Sequence, residues 1–366
     1  MSMFTGRRGT RLTRLAVACF LFTVIGAQAA SAMASGQAQV VDFSKMGMAA
    51  LAGLVLFIYG LSQLAEGLGK VNTERMRDLL AKFTTNRLAA VGTGIVATAL
   101  LESSSVTIIM VIAMVSSGIL TFVQSLGVVL GANIGTAVGA QVIALNIKHY
   151  TPLLMFAGMV LSLAFKNETV RNVGIILLGF GLMFFGLDAI EGAVRPLRKY
   201  QPFIELMETL GNRPLFGALI GALVTVVIQS SSATVAIVIT LASSGMISLP
   251  AGVAIVLGAE IGTCSDTLLA TIGRGRSALR TGVFHLLFNL ATAGLGILFA
   301  PQLVQLVLAV SGEAGVGRQI ANAQIFFNII GVSAAVLFLP AIARGLHRLI
   351  PDREPAAVTG TTTYVA

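Results

Sequence analysis

Runs of roughly 20 apolar residues recur along the entire chain, each long enough to cross a bilayer core of about 30 Å as a helix. A spanning backbone must satisfy its own polar groups, which leaves helices or a closed barrel. The alternating ten-residue segments that a barrel needs are not found. The expected fold class is therefore an all-α polytopic membrane protein. Composition agrees: 11% of residues are charged, against about 25% in a soluble domain. The 40 glycines suit membrane helices, where small residues let backbones approach closely.

Crossing segments are predicted near 47–67, 122–147, 151–165, 172–190, 250–272, 281–310 and 322–343. Two more apolar stretches, 88–118 and 214–247, are interrupted by Ser-Ser-Ser and read as re-entrant helical hairpins. Residues 1–34 read as a signal peptide with a basic start, an apolar stretch and a candidate Ala32-Met33-Ala34 cleavage site; the other reading is an uncleaved helix. Cleavage would remove Cys19 and leave Cys264 as the one cysteine, with no internal disulfide. The net charge of +9 is spread over short loops, so it points to membrane orientation rather than to nucleic acid. With the mature N-terminus outside, most basic residues fall in cytoplasmic loops, as the positive-inside rule asks, although the basic 195–213 loop falls outside. The implied location is the bacterial inner membrane.

The chain also repeats itself at a separation of 127 residues. Glu102-Ser103-Ser104-Ser105-Val106-Thr107 matches Gln229-Ser230-Ser231-Ser232-Ala233-Thr234, and Leu130–Thr136 matches Leu257–Thr263. Upstream, Phe57–Leu61 resembles Met183–Leu187. The expected organisation is a first repeat over 47–165 with hairpin 88–118 and a second over 172–310 with hairpin 214–247. A final loop and helix over 311–350 and a tail over 351–366 follow. Three crossings separate the starts of the repeats, so the second is expected to be inverted, with interrupted helices meeting near the midplane.

Hydroxyls in hydrocarbon need partners. One reading has them bond back to the preceding turn and bend a helix. The other has the chain turn at the serines, so that a half-helix begins there. Its free N–H groups and positive dipole end would suit an anion. Hydroxyl and amide oxygens would suit a small hard cation. Glu260 and Asp266 are carboxylates near or within a span and are functional candidates; Asp266 is a possible coupling carboxylate or a salt-bridge partner of Arg274. His285, Asn289 and Asn328 read as interhelical hydrogen-bonding residues or, less simply, as ligands. Gly92–Ala97 fits G-x-G-x-x-A, but no strand precedes it, so nucleotide binding is set aside. No nucleophile–base pair argues for an enzyme, and no Cys/His cluster argues for a transition metal.

The twin serine blocks, the two G-A-x-I-G-T blocks and His285-Leu286-Leu287-Phe288-Asn289 resemble the bacterial sodium–phosphate cotransporter family, the type II group found also in animal kidney and gut. The resemblance covers residues 48–345. It implies inverted repeats, each with a re-entrant hairpin and a broken helix, in a sodium-coupled phosphate importer working by alternating access. It implies that Gln229, Ser230, Ser231, Ser232 and Thr234, with Ser103, Ser104, Ser105 and Thr107, surround phosphate and sodium. Asn133, Thr136 and Thr263 would assist from the facing broken helices. Phosphate, Na⁺ and the lipid bilayer are the implied partners, with no cofactor beyond the coupling ion. Many bacterial members carry a C-terminal PhoU-like helical domain, which this chain is expected to lack. Two positions depart from the family pattern: Glu102 stands where Gln is usual, and Glu260 where Asn is usual. Either carboxylate could hold Na⁺ or carry a proton. The alternatives are a proton-linked or different-anion transporter using Glu102, or a non-transporting membrane sensor or scaffold.

Overall fold

The computed structural model describes residues 42–145 and 147–352. The leader, Cys19 and nearly all of the tail lie outside the described residues. Those described form helices and connecting turns, with no strand among them. The first helix among the described residues is α1 (Phe43–Lys82), and the first hairpin follows as α2 (Arg87–Leu101) and α3 (Ser104–Ser116). Next come α4 (Phe122–Ile143), α5 (Thr151–Ala164), α6 (Glu168–Val194) and α7 (Gln201–Asn212). The second hairpin is α8 (Pro214–Ile228) and α9 (Ser231–Ser243). The chain continues through α10 (Leu249–Gly262), α11 (Cys264–Leu269), α12 (Arg276–Leu298), α13 (Ala300–Ser311) and α14 (Val316–Leu349). Among the described residues six stretches are long and apolar enough to cross a membrane, or seven if the bent pair α7–α8 is one span. The protein is thus an all-α polytopic membrane protein.

Three expectations change in detail. The segment 151–165 forms a helix of 14 residues, which at 1.5 Å per residue falls short of a full apolar core. The segment 281–310 is two helices, because Phe299 leaves the helical path and Pro301 begins the next element without an N–H to extend the last. The basic stretch 195–213 is a 3₁₀ turn and α7, which then bends by 108° into α8.

The two hairpins fold alike, residue for residue. Thr98 donates to Thr107 across the first at 3.0 Å, and Thr225 to Thr234 across the second at 2.9 Å. Gly131 meets the Val91 carbonyl so closely that no Cβ fits; 127 residues on, Gly258 meets the Ala218 carbonyl in the same way. Each hairpin is thereby locked against its own following helix, α2 on α4 and α8 on α10. The outer arm α8 turns Leu215, Leu219, Leu223 and Val227 outward, one per turn, a stripe suited to lipid.

The elements before the hairpins pack on each other. Gly53 of α1 sits against Gly186 and Ile190 of α6, Gly60 against Gly179 and Met183, and Gly67 against Ile176. As α1 advances its partners recede, so the two helices are antiparallel. Phe57, Met183, Phe184 and Leu187 continue this contact onto Ala233 and Ala236 of the second hairpin. Arg280 is buried at the start of α12 and pins the residues just after α14, donating to the Ile350 carbonyl and to Asp352 at 2.8 and 2.7 Å.

Candidate functional site

Both hairpins turn at the serine motifs, as the interrupted apolar pattern requires. Glu102 (φ 50°, ψ 25°) and Gln229 (φ 58°, ψ 30°) cap the first arms in the left-handed region. They are the two non-glycine residues with positive φ among those described, a conformation of the sort held at functional sites. Ser103 then caps α3, accepting from Val106 N at 3.2 Å, and Ser230 caps α9, accepting from Ala233 N at 3.1 Å. The hydroxyls of these two serines are engaged in capping. The leading N–H groups of α3 and α9 have no partner within their helices, and Ser104 and Ser231 beside them are buried.

The remaining serines reach across the molecule. Ser105 Oγ lies 3.3 Å from Thr263 Oγ1 and donates to Asp266 Oδ2 at 3.0 Å, tying the first hairpin to α10 and α11. Ser265 donates to Asp266 Oδ1 at 3.0 Å and to the Gly262 carbonyl at 2.9 Å. Glu102 and Ser232 line one small cavity of about 20 Å³, together with Phe57, Gly139, Phe180 and Met183. That is room for one water-sized guest. Gln229, by contrast, is exposed.

A broken helix is expected in both repeats; α10 and α11 form one 21-residue span, interrupted at Thr263, whose backbone stays helical (φ −65°, ψ −16°). Beside Thr263 the Ser265 hydroxyl takes the Gly262 carbonyl and the Cys264 thiol takes the Glu260 carbonyl, bonds of the kind that bend a helix slightly. The matching residues of the first repeat, Ala137 and Val138, have no such groups, and α4 runs unbroken from Phe122 to Ile143. Asn133 and Thr136, expected to assist at the site, are buried and bond back to their own helix at Val129 O and Ala132 O.

Glu260 does not join the serines. It accepts from Gln324 Nε2 of α14 at 2.7 Å, within a buried polar group that also holds Cys264, Thr267, His285, Asn289 and Asn328. Gln324, Ser265 and Gly139 are missed by sequence reasoning. Gln324 carries one legible signal: it lies four residues before Asn328, on the same helix face of an apolar span. No group of three or more His, Cys, Asp or Glu side chains able to hold a metal occurs among the described residues.

Apolar spans, two serine-turned hairpins and small-residue packing between them define a multi-pass membrane protein with a transporter's parts. The chain belongs to the Na⁺/Pi-cotransporter family, whose model matches residues 56–192 and 199–321. It is therefore a multi-pass protein of the bacterial inner membrane. It is 29% identical over 303 residues to "Uncharacterized protein YqeW" of Bacillus subtilis, covering 82% of this chain and 97% of that one. It is 28% identical over 307 residues to "Putative inorganic phosphate export protein YjbB" of Escherichia coli K12, covering 83% of this chain and 56% of that one. A segment of 125 residues is 36% identical to human "Sodium-dependent phosphate transport protein 2B", covering 31% of this chain and 18% of that one. No solved structure matches the chain.

Proposed function

We propose that this protein is a secondary active transporter coupling inorganic phosphate to sodium across the cytoplasmic membrane by alternating access at its paired hairpins. The observation that carries the proposal is the junction of the two turns: Glu102 of one and Ser232 of the other border a single cavity. Two half-helix N-termini converging there would offer backbone donors and positive dipole ends to an oxyanion. On this reading Ser104, Ser231 and the N–H groups beside them hold phosphate, while Ser103, Ser230, Thr107 and Thr234 fix the turns. Ser105, Thr263 and Asp266 supply oxygens for a sodium ion. Gln229, at the exposed face of the second turn, would meet solute arriving from that side. The charge of bound sodium would offset repulsion between Glu102 and phosphate, which gives a physical reason for coupling.

The cavity is smaller than a tetrahedral oxyanion, so the hairpins must part to admit cargo. Antiparallel packing of α1 on α6 supports an inverted arrangement of repeats 47–165 and 172–310, which would expose the site to either side in turn. The names of these relatives speak to phosphate: YjbB's says export, and the human protein's says sodium-dependent transport with no direction. A symporter runs down its combined gradients, so the proposal assigns coupling and leaves net direction to the cell. Purified protein in liposomes should accumulate labelled phosphate under an inward Na⁺ gradient. Uptake equal with K⁺ in place of Na⁺ refutes sodium coupling, and no phosphate movement under either gradient refutes phosphate as cargo.

A proton-linked reading rests on Glu102, whose carboxylate rests over Gly139 beside the cavity. It requires phosphate uptake driven by a pH gradient without Na⁺, and loss of that uptake in Glu102→Gln. Unchanged ion and pH responses in the variant dispose of it.

A further inference from the structure

One pocket gathers the ends of three spans. The span Glu168–Lys199 stops beside it, and the spans Leu249–Leu269 and Val316–Leu349 start beside it. It is open and has a volume of about 360 Å³, within the range of small-ligand pockets. Arg198, the α7 residues Phe203, Ile204, Met207 and Glu208, the 245–248 turn between α9 and α10, and Val316 line it. Membrane helices end where hydrocarbon meets water, so the pocket lies at that boundary. The helix α7 suits this place: its 12 residues are too few to cross, and it bends away from α8 by 108°.

The lining combines apolar surface with two opposite charges. Met246 and Ile247 are buried and make an apolar floor, and Phe203, Ile204 and Met207 are half-buried walls. Arg198 and Glu208 are exposed, and among the described residues no salt bridge joins them. A ligand seated here meets a cation, a carboxylate and an apolar surface together. Inorganic phosphate would match the arginine alone, and a fatty acid would offer Glu208 only like charge. A phospholipid with a primary ammonium headgroup matches all three. Its phosphate suits the Arg198 guanidinium, its ammonium suits Glu208, and the start of an acyl chain covers the apolar floor. The bilayer supplies such a molecule at this depth. We infer that the pocket is a binding site for an aminophospholipid such as phosphatidylethanolamine.

The basic residues of this stretch agree. Arg195, Arg198, Lys199 and Arg213 are all exposed. They fall on the side expected to face outward, where the orientation rule gives no reason for them; lipid phosphates at the membrane surface do. The pocket also borders the second hairpin, since its 245–248 wall includes Gly245 (φ 75°), just after α9. On the alternating-access reading, a lipid held there bears on the tip of that hairpin.

The test is lipid retention by the purified full-length protein, read by native mass spectrometry. Phosphatidylethanolamine, phosphatidylglycerol and phosphatidylcholine with identical acyl chains are added at equal concentration. One phosphatidylethanolamine per chain should bind roughly fivefold more tightly than either of the others, because glycerol has no ammonium and choline has no N–H to donate to Glu208. Glu208→Gln should remove that preference without weakening phosphatidylglycerol. Arg198→Gln should weaken both lipids by roughly fivefold. Both side chains are exposed, so these variants keep the fold. Arg195→Gln, in the same 3₁₀ turn but outside the lining, should bind as wild type does. Equal retention of the three lipids by wild type, or a preference that survives Glu208→Gln, overturns the inference. So does a loss in Arg195→Gln equal to that in Arg198→Gln, which would mean a diffuse basic surface. Displacement of the lipid by excess inorganic phosphate, which would mean a free-phosphate site, overturns it too. The readout involves no transport, so failure of the sodium–phosphate proposal would not alter the result.

Discussion

Gly139 and Asp266 occupy matching positions in the two repeats, and their difference organises the site. In the second repeat Asp266 puts a carboxylate against Ser105. In the first, glycine leaves a gap, and the Glu102 carboxylate fills it: a Cβ on Gly139 would lie 2.7 Å from Glu102 Oε2. Each hairpin junction thus has one acidic group, drawn from different places in the sequence. Gly139→Ala should push the flexible Glu102 side chain aside with little effect on folding, about 0.5 kcal/mol or less. It should shift the sodium dependence of phosphate transport at least tenfold. Sodium titration of uptake beside thermal melting checks both, and an unshifted titration contradicts this role for Glu102. The substitution at Glu102 is visible in the sequence as a departure from the family pattern. Its seat is not, because no local periodicity pairs residue 102 with residue 139. The same holds for Glu260, whose partner Gln324 lies on another helix and becomes visible only once α10 and α14 are packed.

Helices and hairpins were far more legible than the contacts between them. Apolar run length marks where helices lie, and the serine blocks mark the turns at 102–103 and 229–230, because a polar interruption in hydrocarbon must be answered by backbone geometry. Run length fails where short helices adjoin. Apolarity continues through Phe299 although the helix does not, and α5 is apolar throughout yet only 14 residues long. The inversion of the repeats depends on whether α5 crosses. Single cysteines at positions 150 and 167 should be labelled by an impermeant maleimide from opposite sides of the membrane. Labelling from one side would make α5 re-entrant and remove the odd number of crossings. Helix packing gives a second prediction. A methyl at Gly258 would strike the backbone carbonyl of Ala218, which cannot swing away. Gly258→Ala should destabilise the protein by about 3 kcal/mol, read as a fall in melting temperature in detergent. A neutral result would mean that α8 and α10 are not tightly joined.

At the scale of the whole molecule, the two halves share one plan but not one chemistry. Their hairpins match in capping, turn conformation and hydroxyl pairing. They differ in carboxylate placement, Asp266 in one and Glu102 in the other. The central claim is that both serine turns build one phosphate site, and a double-mutant comparison of phosphate binding tests it most directly. Labelled phosphate binding would be measured for wild type, Ser104→Ala, Ser231→Ala and the double variant, in saturating sodium. If one site is shared, each single change weakens binding at least tenfold and the double variant is weakened by clearly less than the product of the two. Two independent losses that multiply, or a single variant that binds as wild type does, would contradict a site shared by both hairpins.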